Sequence, residues 1–304
     1  MQVRLRLLSA SFGSKKLRSW FGGAASGPPT QILPAPPTAD IVAATQTDVG
    51  RVRQVNEDVA VFSRPASFRE FQKRGAVALV ADGMGGAQGG SIASEIASTV
   101  IPEFYHLSRD EPATALRKAL LAANREIYRR SRKDRSLTGM GATCVVLAVS
   151  PSFAWAAWVG DSRLYLVRDN QIFQMTEDHS LVNEMVRRGL LTVEEAASHE
   201  DRNVVTRALG SHPKVDPSVW EKPYPVRVGD RFLLCSDGVH DPLSGAEILE
   251  LVRDGAVENA AARLLAAAND RGGHDNASAV LLELVDRAAI RATRESQPRS
   301  EIAP

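Results

Sequence analysis

The chain has 304 residues, of which 44% are hydrophobic and 24% charged, and its formal net charge at pH 7 is +1. This composition excludes a collagen-like repeat, a disulfide-rich scaffold and a wholly disordered chain. No apolar stretch approaches the roughly 18 residues that span a bilayer, so no transmembrane segment is expected. Cys144 and Cys235 both lie in apolar runs, which predicts two buried thiols rather than a disulfide.

The charge is distributed unevenly along the chain. Residues 1–39 carry +5 and residues 287–304 carry +2, so the net charge of +1 leaves −6 for the body between them. An acidic body argues against a nucleic-acid partner and is compatible with cation binding. Arg4 and Arg6 leave no apolar core for a secretory signal, which makes the cytoplasm the expected location.

The pattern predicts three parts. Residues 1–39 combine basic residues with a proline-rich run, which predicts a solvated, extended tail rather than a segment lying on a membrane surface. Residues 40–286 alternate strand-like and helix-like patterns and are expected to form one folded domain. Residues 287–304 are expected to form a polar C-terminal tail.

Eight short apolar runs predict strands. They lie at residues 59–62, 76–81, 143–149, 153–159, 163–167, 172–175, 231–235 and 277–284. Short turns at residues 150–152 and 169–170 join two pairs of these runs, and such turns predict antiparallel hairpins.

Four helices are predicted between the strands from i, i+4 spacing and capping residues. Ser91 is expected to cap the first, and Ser244 with Glu247 to form a capping box on the third. The second should include residues 116–127 and the fourth residues 257–268. Pairs of helices separated by antiparallel strands predict a layered α+β architecture.

Aspartates recur where strands end or begin. The four are Asp82, Asp161, Asp237 and Asp275. Each is also compatible with ordinary turn chemistry, because aspartate is common in turns. If the strand ends converge, each pair of carboxylates repels by about 4 kcal/mol at ~4 Å and an effective dielectric near ~20. Such a cluster requires protons or cations, and oxygen-only ligands indicate Mg²⁺ or Mn²⁺ rather than zinc.

A fifth segment, residues 50–58, lies upstream. If it is an extended strand, alternation places Arg53 and Glu57 on one face. A carboxylate for metal ions and a guanidinium for a phosphate could then share one edge. A solvated salt-bridge face is the alternative interpretation of the same residues.

Five short motifs follow one another in the chain: Arg53 with Glu57 and Asp58, residues 82–86, residues 160–163, residues 236–238, and residues 275–276. In this order they resemble the motifs of the metal-dependent protein phosphatases of type 2C. Two segments between the motifs, residues 177–180 and 202–210, also resemble bacterial members of that family. The resemblance covers residues 43–284, and it identifies residues 40–286 as a type-2C-like phosphatase domain.

The resemblance implies a four-layer α/β/β/α sandwich, in which two antiparallel sheets are flanked by helix pairs. It implies hydrolysis of phosphoserine and phosphothreonine on proteins by metal-activated water, with two bridged Mn²⁺ or Mg²⁺ ions. The implied partners are phosphoproteins and a Ser/Thr kinase that the enzyme opposes, and a monomer is expected.

Site roles follow residue by residue from the same resemblance. Asp82 would bridge both ions. Asp237 and Asp275 would complete one site, while Glu57 and the carbonyl of Gly83 would complete the other.

Further roles concern the phosphate and the water. Arg53 would hold phosphate oxygens through its fork of donors, and Asp58 would hydrogen-bond metal-bound water. Asp161 with Asp237 resembles a weaker third metal site. Met84 stands where animal members often carry a histidine proposed as general acid, so that role is left unassigned.

Two nearby features receive competing interpretations. Residues 181–201 resemble a mobile flap, and we hypothesise that Arg187 and Arg188 there select substrates, although a plain surface helix explains the charges equally well. His240 follows the motif at residues 236–238 and is interpreted as structural or solvated.

Two rival functions use the same features. A catalytically dead binding module is expected to lose metal-binding carboxylates, and this chain retains them. A hydrolase of small phosphate esters or nucleotides stays open, although no nucleotide cradle of the Gly-x-x-x-x-Gly-Lys type occurs.

Overall fold

The computed structural model describes residues 39–85 and 88–287, which form twelve strands and eight helices. The strands are β1 (Ala39–Asp48), β2 (Asp58–Ser63), β3 (Ala76–Met84), β4 (Gly141–Ala142), β5 (Cys144–Val149), β6 (Phe153–Val159), β7 (Arg163–Arg168), β8 (Gln171–Gln174), β9 (Ser218–Val219), β10 (Tyr224–Pro225), β11 (Arg231–Cys235) and β12 (Ala277–Asp286). The helices are α1 (Phe68–Arg74), α2 (Gly89–Leu107), α3 (Pro112–Lys133), α4 (Leu181–Arg187), α5 (Val193–Ala197), α6 (Asp237–His240), α7 (Gly245–Val252) and α8 (Val257–Asp270).

The strands form two antiparallel sheets. One has the order β1-β12-β11-β7-β8, and the other has the order β10-β6-β5-β3-β2, with β9 joined to β6 and β4 joined to β3. The turn between β7 and β8 places Asp169 and Asn170 at φ 53° and 56°, the paired positive φ values of a tight hairpin turn. The hairpins predicted from the short turns are therefore confirmed.

Alternation of side chains along each strand divides the core into layers. In β3, Val77 and Leu79 pack against α2 and α3, whereas Ala78 and Val80 face the other sheet. On the far side, Leu233 of β11 belongs to the cluster that packs against α7 and α8. Burying each large apolar side chain contributes about 1.5–3 kcal/mol. The result is helices, sheet, sheet and helices, which confirms the four-layer α+β prediction.

The eight predicted strands are all present, with ends that differ by up to three residues. β1 is not among the predictions. Its sequence alternates weakly, and its burial mixes buried, half-buried and exposed positions, because it lies at the edge of its sheet beside β12. The described residues all belong to one compact unit of the chain, and the proposed tail boundaries stay predictions, since residues 1–38 and 288–304 lie outside the description.

Two local predictions are wrong. Residues 50–57 form a loop rather than an extended strand, because Gly50 turns the chain at φ 80°, where a side chain would collide with the Asp275 carbonyl. The helix expected to begin after Ser91 begins at Gly89, and its N-cap residue, Gln88, makes no side-chain capping bond. Gly90 in this first turn leaves room for Glu57, whose Oε1 lies 2.5 Å from where a Cβ would stand.

The remaining helix predictions are confirmed. Ser244 and Glu247 form the expected capping box at the start of α7, and the second and fourth helices contain the predicted residues. Cys144 and Cys235 are buried and unpaired. Among the described helices, none is long and apolar enough to cross a membrane.

Candidate active site

The strand register brings the ends of both sheets to one place. Asp58, at the start of β2, lies directly opposite Asp82, near the end of β3. Residues 160–162 carry the chain from the end of β6 into β7, and so from one sheet to the other. Arg163, which starts β7, pairs with the last residue of β11, just before Asp237. Each of these aspartates therefore lies at the same end of the sandwich.

Asp58 is buried and held by a hydroxyl. Ser236 Oγ donates to Asp58 Oδ2 at 2.6 Å, and the same Oγ accepts from the Ser278 amide at 3.0 Å. Burial raises the pKa of Asp58 to about 7, helped by the nearby charge of Asp237 and opposed by the hydroxyl bonds. A carboxyl with this pKa is poised to hold or release a proton near neutral pH.

Asp82 lies at the centre of the acidic cluster. Its side chain is densely surrounded by protein yet keeps part of its surface exposed, as at the base of a cleft. Burial raises its pKa well above the ordinary value, and four other carboxylates add to the rise. They are Asp58, Asp237, Asp161 and Asp275.

Asp161 and Asp237 lie at the same end of the neighbouring strands β7 and β11, just before β7 begins and just after β11 ends. Burial raises the pKa of Asp161 to about 7, and the charge of Asp237 contributes next. Asp237 opens the short helix α6, and burial raises its pKa as well. His240 is buried one turn later, where its Nε2 lies 3.2 Å from the Asp161 carbonyl oxygen, so the structural interpretation of this histidine holds and the solvated one does not.

Arg53 lies at the more exposed edge of the cluster. Its Nη2 donates to Asp275 Oδ2 at 2.7 Å, and the side chains are 52% and 38% exposed. The hydrogen bond and charge of Asp275 raise the pKa of Arg53, with smaller contributions from Glu57 and Asp237. The guanidinium therefore offsets part of the negative charge while remaining accessible to a ligand.

Glu57 and Gly83 are held together by their backbones. The Gly83 amide donates to the Glu57 carbonyl oxygen at 3.1 Å. A side chain at position 83 would collide with the Gly90 carbonyl, so only glycine allows β3 and α2 to approach this closely.

Asn276 organises the loop that carries Arg53 and Glu57, a role that its motif position alone did not indicate. Its Nδ2 donates to the carbonyls of Val49 and Val55 at 2.9 and 3.0 Å, and its Oδ1 accepts from the Glu57 amide at 2.8 Å. One buried amide thereby satisfies three backbone groups of the loop. Only the full set of donors and acceptors on an asparagine side chain can do this.

We expect Asn276→Asp to misplace this loop, because a carboxylate cannot donate to the two carbonyls. The predicted result is a loss of kcat/KM of about tenfold or more, as for groups that orient a ligand set. The matched control is Asn170→Asp, at an exposed position in the turn between β7 and β8, at the far end of β7 from Asp161. Steady-state assays that give equal losses for both variants would contradict the positioning role.

A second supporting residue, His179, is also visible only in the structure. The Gly160 amide donates to His179 Nδ1 at 3.0 Å, and the His179 amide donates back to the Gly160 carbonyl at 2.9 Å. Burial lowers the pKa of His179 to about 4, which keeps the ring neutral and able to accept. This reciprocal pair fixes the turn that carries Asp161.

Both arginines of the predicted flap form ion pairs within the protein. α4 and α5 cover much of residues 181–201. Arg187 lies 3.4 Å from Glu177, and Arg188 lies 3.7 Å from Glu184. These are exposed ion pairs of the kind that contributes little stability, and the substrate-selecting role stays a prediction.

The candidate ligands of the acidic cluster are all oxygen donors. Oxygen donors on aspartates and a glutamate, with a backbone carbonyl, match Mg²⁺ or Mn²⁺. Burial, with added repulsion from neighbouring carboxylates, raises the pKa values of Asp58, Asp82 and Asp237. Within residues 39–85 and 88–287, no three Asp, Glu, His or Cys side chains are gathered into a ready ligand cage. Arg53 and Ser236 instead engage Asp275 and Asp58. The residue types and their convergence therefore fit a divalent ion, with side-chain adjustment on binding.

Comparison with known families decides the relationship. A family model described as protein phosphatase 2C matches residues 54–284, which contain every strand of the sandwich except β1 and the end of β12. The chain belongs to the protein phosphatase 2C family. The resemblance inferred from the five motifs is thereby confirmed.

Individual relatives of the 2C family agree with this assignment. The chain is 36% identical over 245 residues to the serine/threonine phosphatase stp of Listeria innocua, covering 78% of this chain and 94% of that protein. A crystal structure of the Mycobacterium tuberculosis serine/threonine phosphatase PstP matches with a TM-score of 0.70 and 36% identity, covering 81% of this chain and 99% of that one. The catalytic domain of PstP in complex with two manganese ions matches with a TM-score of 0.70 and 33% identity, covering 82% and 100%.

Proposed function

We propose that this protein is a metal-dependent serine/threonine protein phosphatase. The observation that carries the proposal is the convergence of Asp58, Asp82, Asp161 and Asp237 at one end of the sandwich, with Arg53 and Asp275 at its exposed edge. Membership of the 2C family and relatives named serine/threonine phosphatases support the same activity.

The metal-ligand roles that the family resemblance implies fall on the residues of the acidic cluster. Asp82 would bridge two ions, with Asp237 and Asp275 on one and Glu57 with the Gly83 carbonyl on the other. When bound, two divalent ions activate water for in-line attack on phosphorus and screen the charge of the phosphate. The relative that holds two manganese ions supports two sites. Asp161 with Asp237 would form a third, and either Mn²⁺ or Mg²⁺ suits the oxygen donors.

Arg53 would bind and orient the phosphate. Asp275 engages its Nη2, and a guanidinium has four further N–H donors for phosphate oxygens. These bonds neutralise charge on the phosphate and place phosphorus over the carboxylates. Positioned donors of this kind act most strongly where charge develops in the transition state.

Asp58 would accept the proton of the attacking water. Ser236 binds its Oδ2, so Oδ1 is the atom at which a proton would be held. In the metal-free protein the pKa of Asp58 is raised to about 7, and a carboxylate at this position would accept the proton and return it to solvent. Met84 cannot protonate the leaving oxygen, and that role stays unassigned.

The cellular setting is also a proposal. Phosphorylated proteins are the expected substrates, and a Ser/Thr kinase is the expected opposing activity. The cytoplasmic location and the monomeric state expected from the sequence stay predictions.

The deciding experiment is hydrolysis with and without metal. With Mn²⁺, we expect activity on phosphothreonine and phosphoserine peptides, much weaker activity on phosphotyrosine peptides and nucleotides, and loss of all activity in excess chelator. Full turnover in chelator would exclude the proposed chemistry. A clear preference for nucleotides over phosphopeptides would favour the rival hydrolase of small phosphate esters.

A further inference from the structure

Two exposed apolar side chains lie beside Arg53. Val52 is 62% exposed and Val55 is 53% exposed, and Arg53 between them is half exposed. Single exposed apolar residues are ordinary on protein surfaces. These two differ because both lie within two positions of the side chain assigned to the phosphate.

The loop that carries these valines has a fixed path. The Arg51 amide donates to the Gly273 carbonyl at 2.7 Å, and Asn276 Nδ2 binds the Val55 carbonyl at 3.0 Å. The backbone is therefore anchored on both sides of Val52 and Arg53. The anchors lie on the chain segment that leads into β12, next to Asp275.

Fixed, stiff side chains are favourable partners for a flexible ligand. A β-branched residue has few rotamers to lose, and an anchored loop has little backbone entropy to lose on binding. Covering an exposed valine with another apolar side chain removes both surfaces from water, which favours association. The loop is thus pre-organised to contact something apolar next to a bound phosphate.

The geometry of a peptide limits what that partner is. Successive residues of an extended chain are spaced by about 3.3–3.6 Å. Val52 directly precedes Arg53 and Val55 follows it by two positions, so a peptide whose phosphate binds Arg53 would bring the residues one or two positions away over this same loop. The contact is continuous with the phosphate site, so the occupant is part of the substrate.

We propose that Val52 and Val55 form an apolar subsite for side chains that flank the phosphorylated serine or threonine of a protein substrate. The subsite rests on the proposed phosphatase function and defines its substrate class: extended phosphopeptide segments with leucine, isoleucine, valine or phenylalanine beside the phosphoresidue. Contacts remote from the reacting phosphate raise kcat/KM when they persist in the transition state.

The test uses the full chain with Mn²⁺ and pairs of phosphothreonine peptides that differ only in leucine or serine at the flanking positions. The wild type is expected to prefer the leucine peptide by about threefold or more in kcat/KM. Val52→Thr and Val55→Thr keep the shape and β-branching but replace one methyl group with a hydroxyl. Each is expected to reduce the preference, and the double variant to bring it close to one.

The readout is the ratio of kcat/KM for the leucine peptide to kcat/KM for the serine peptide. A general loss of activity lowers both values and leaves the ratio unchanged. Val228→Thr is the matched control, because Val228 is 41% exposed and precedes β11 at the end opposite Asp237. It should keep the wild-type ratio.

Two results would overturn the subsite while leaving the phosphatase function intact: a wild-type ratio near one, or a wild-type ratio retained by the double variant. Failure of the function itself is distinguishable, because the wild type would then hydrolyse neither peptide nor p-nitrophenyl phosphate in Mn²⁺, and both proposals would fall.

Discussion

Asp82→Asn is expected to lower phosphopeptide turnover by at least about a hundredfold, since loss of a ligand should exceed the 10–100-fold cost of losing a group that supports one. The same substitution is expected to make the metal-free protein more stable. Asp82 is held among Asp58, Asp161, Asp237 and Asp275, and burial with their charges raises its pKa. An amide of the same shape removes that repulsion.

The two effects are measured separately. Steady-state kinetics in Mn²⁺ gives the loss of turnover, and thermal unfolding in chelator gives the change in Tm. Asp254→Asn is the control, because Asp254 is exposed and lies in the turn after α7. A metal-free Tm that falls on Asp82→Asn would show that the cluster is not electrostatically strained, and turnover near the wild-type value would remove Asp82 from the metal site.

Replacing Arg53 is expected to have the second largest effect. Arg53→Ala should reduce kcat/KM by about a hundredfold or more, the usual cost of a lost donor at developing charge. Arg53→Lys should recover only part of this, because an ammonium keeps the charge but not the planar fork that binds two phosphate oxygens. Inhibition by inorganic phosphate should weaken in parallel, which provides a binding readout independent of turnover.

Arg51→Ala is the matched control for this series. Arg51 is exposed and two positions away, and its contact with Gly273 uses the backbone amide, which the substitution retains. If Arg51→Ala and Arg53→Ala lose activity equally, the phosphate-binding role belongs to the charge of the loop as a whole rather than to Arg53.

Local sequence patterns predicted most of the fold because the strands are strongly apolar and their turns short. The run that became β5 is buried throughout, and the turn at Asp169 and Asn170 is a local signal. β1 was not predicted because an edge strand is only partly buried, so its apolar pattern is weak. The early start of α2 was not predicted because Gly90 leaves room for Glu57 and Gly89 lies against Met140, and both contacts are distant in sequence.

The acidic residues of the site could be selected from the sequence because aspartates beside buried strands are conspicuous. The residues that hold this part of the structure in place could not be selected in the same way. Asn276 holds a loop more than two hundred residues away, and His179 holds the turn at Gly160 from another part of the chain. Asn276 belongs to the motif at residues 275–276, but neither that motif nor the sequence around His179 shows which backbone groups these side chains bind. Their supporting roles are therefore visible only in the tertiary structure.

The pairing of β1 with β12 has a mechanical consequence. Ala39 lies opposite Asp286, while Asp48 lies opposite Ala277, two residues from Asp275. A pull on residues 39 and 286 would therefore load the pair in unzipping geometry, breaking rungs one at a time from the far end. The end of this pair that lies beside Asp275 would be the last to open, so a force applied between residues 39 and 286 would separate the strands far from the acidic cluster first.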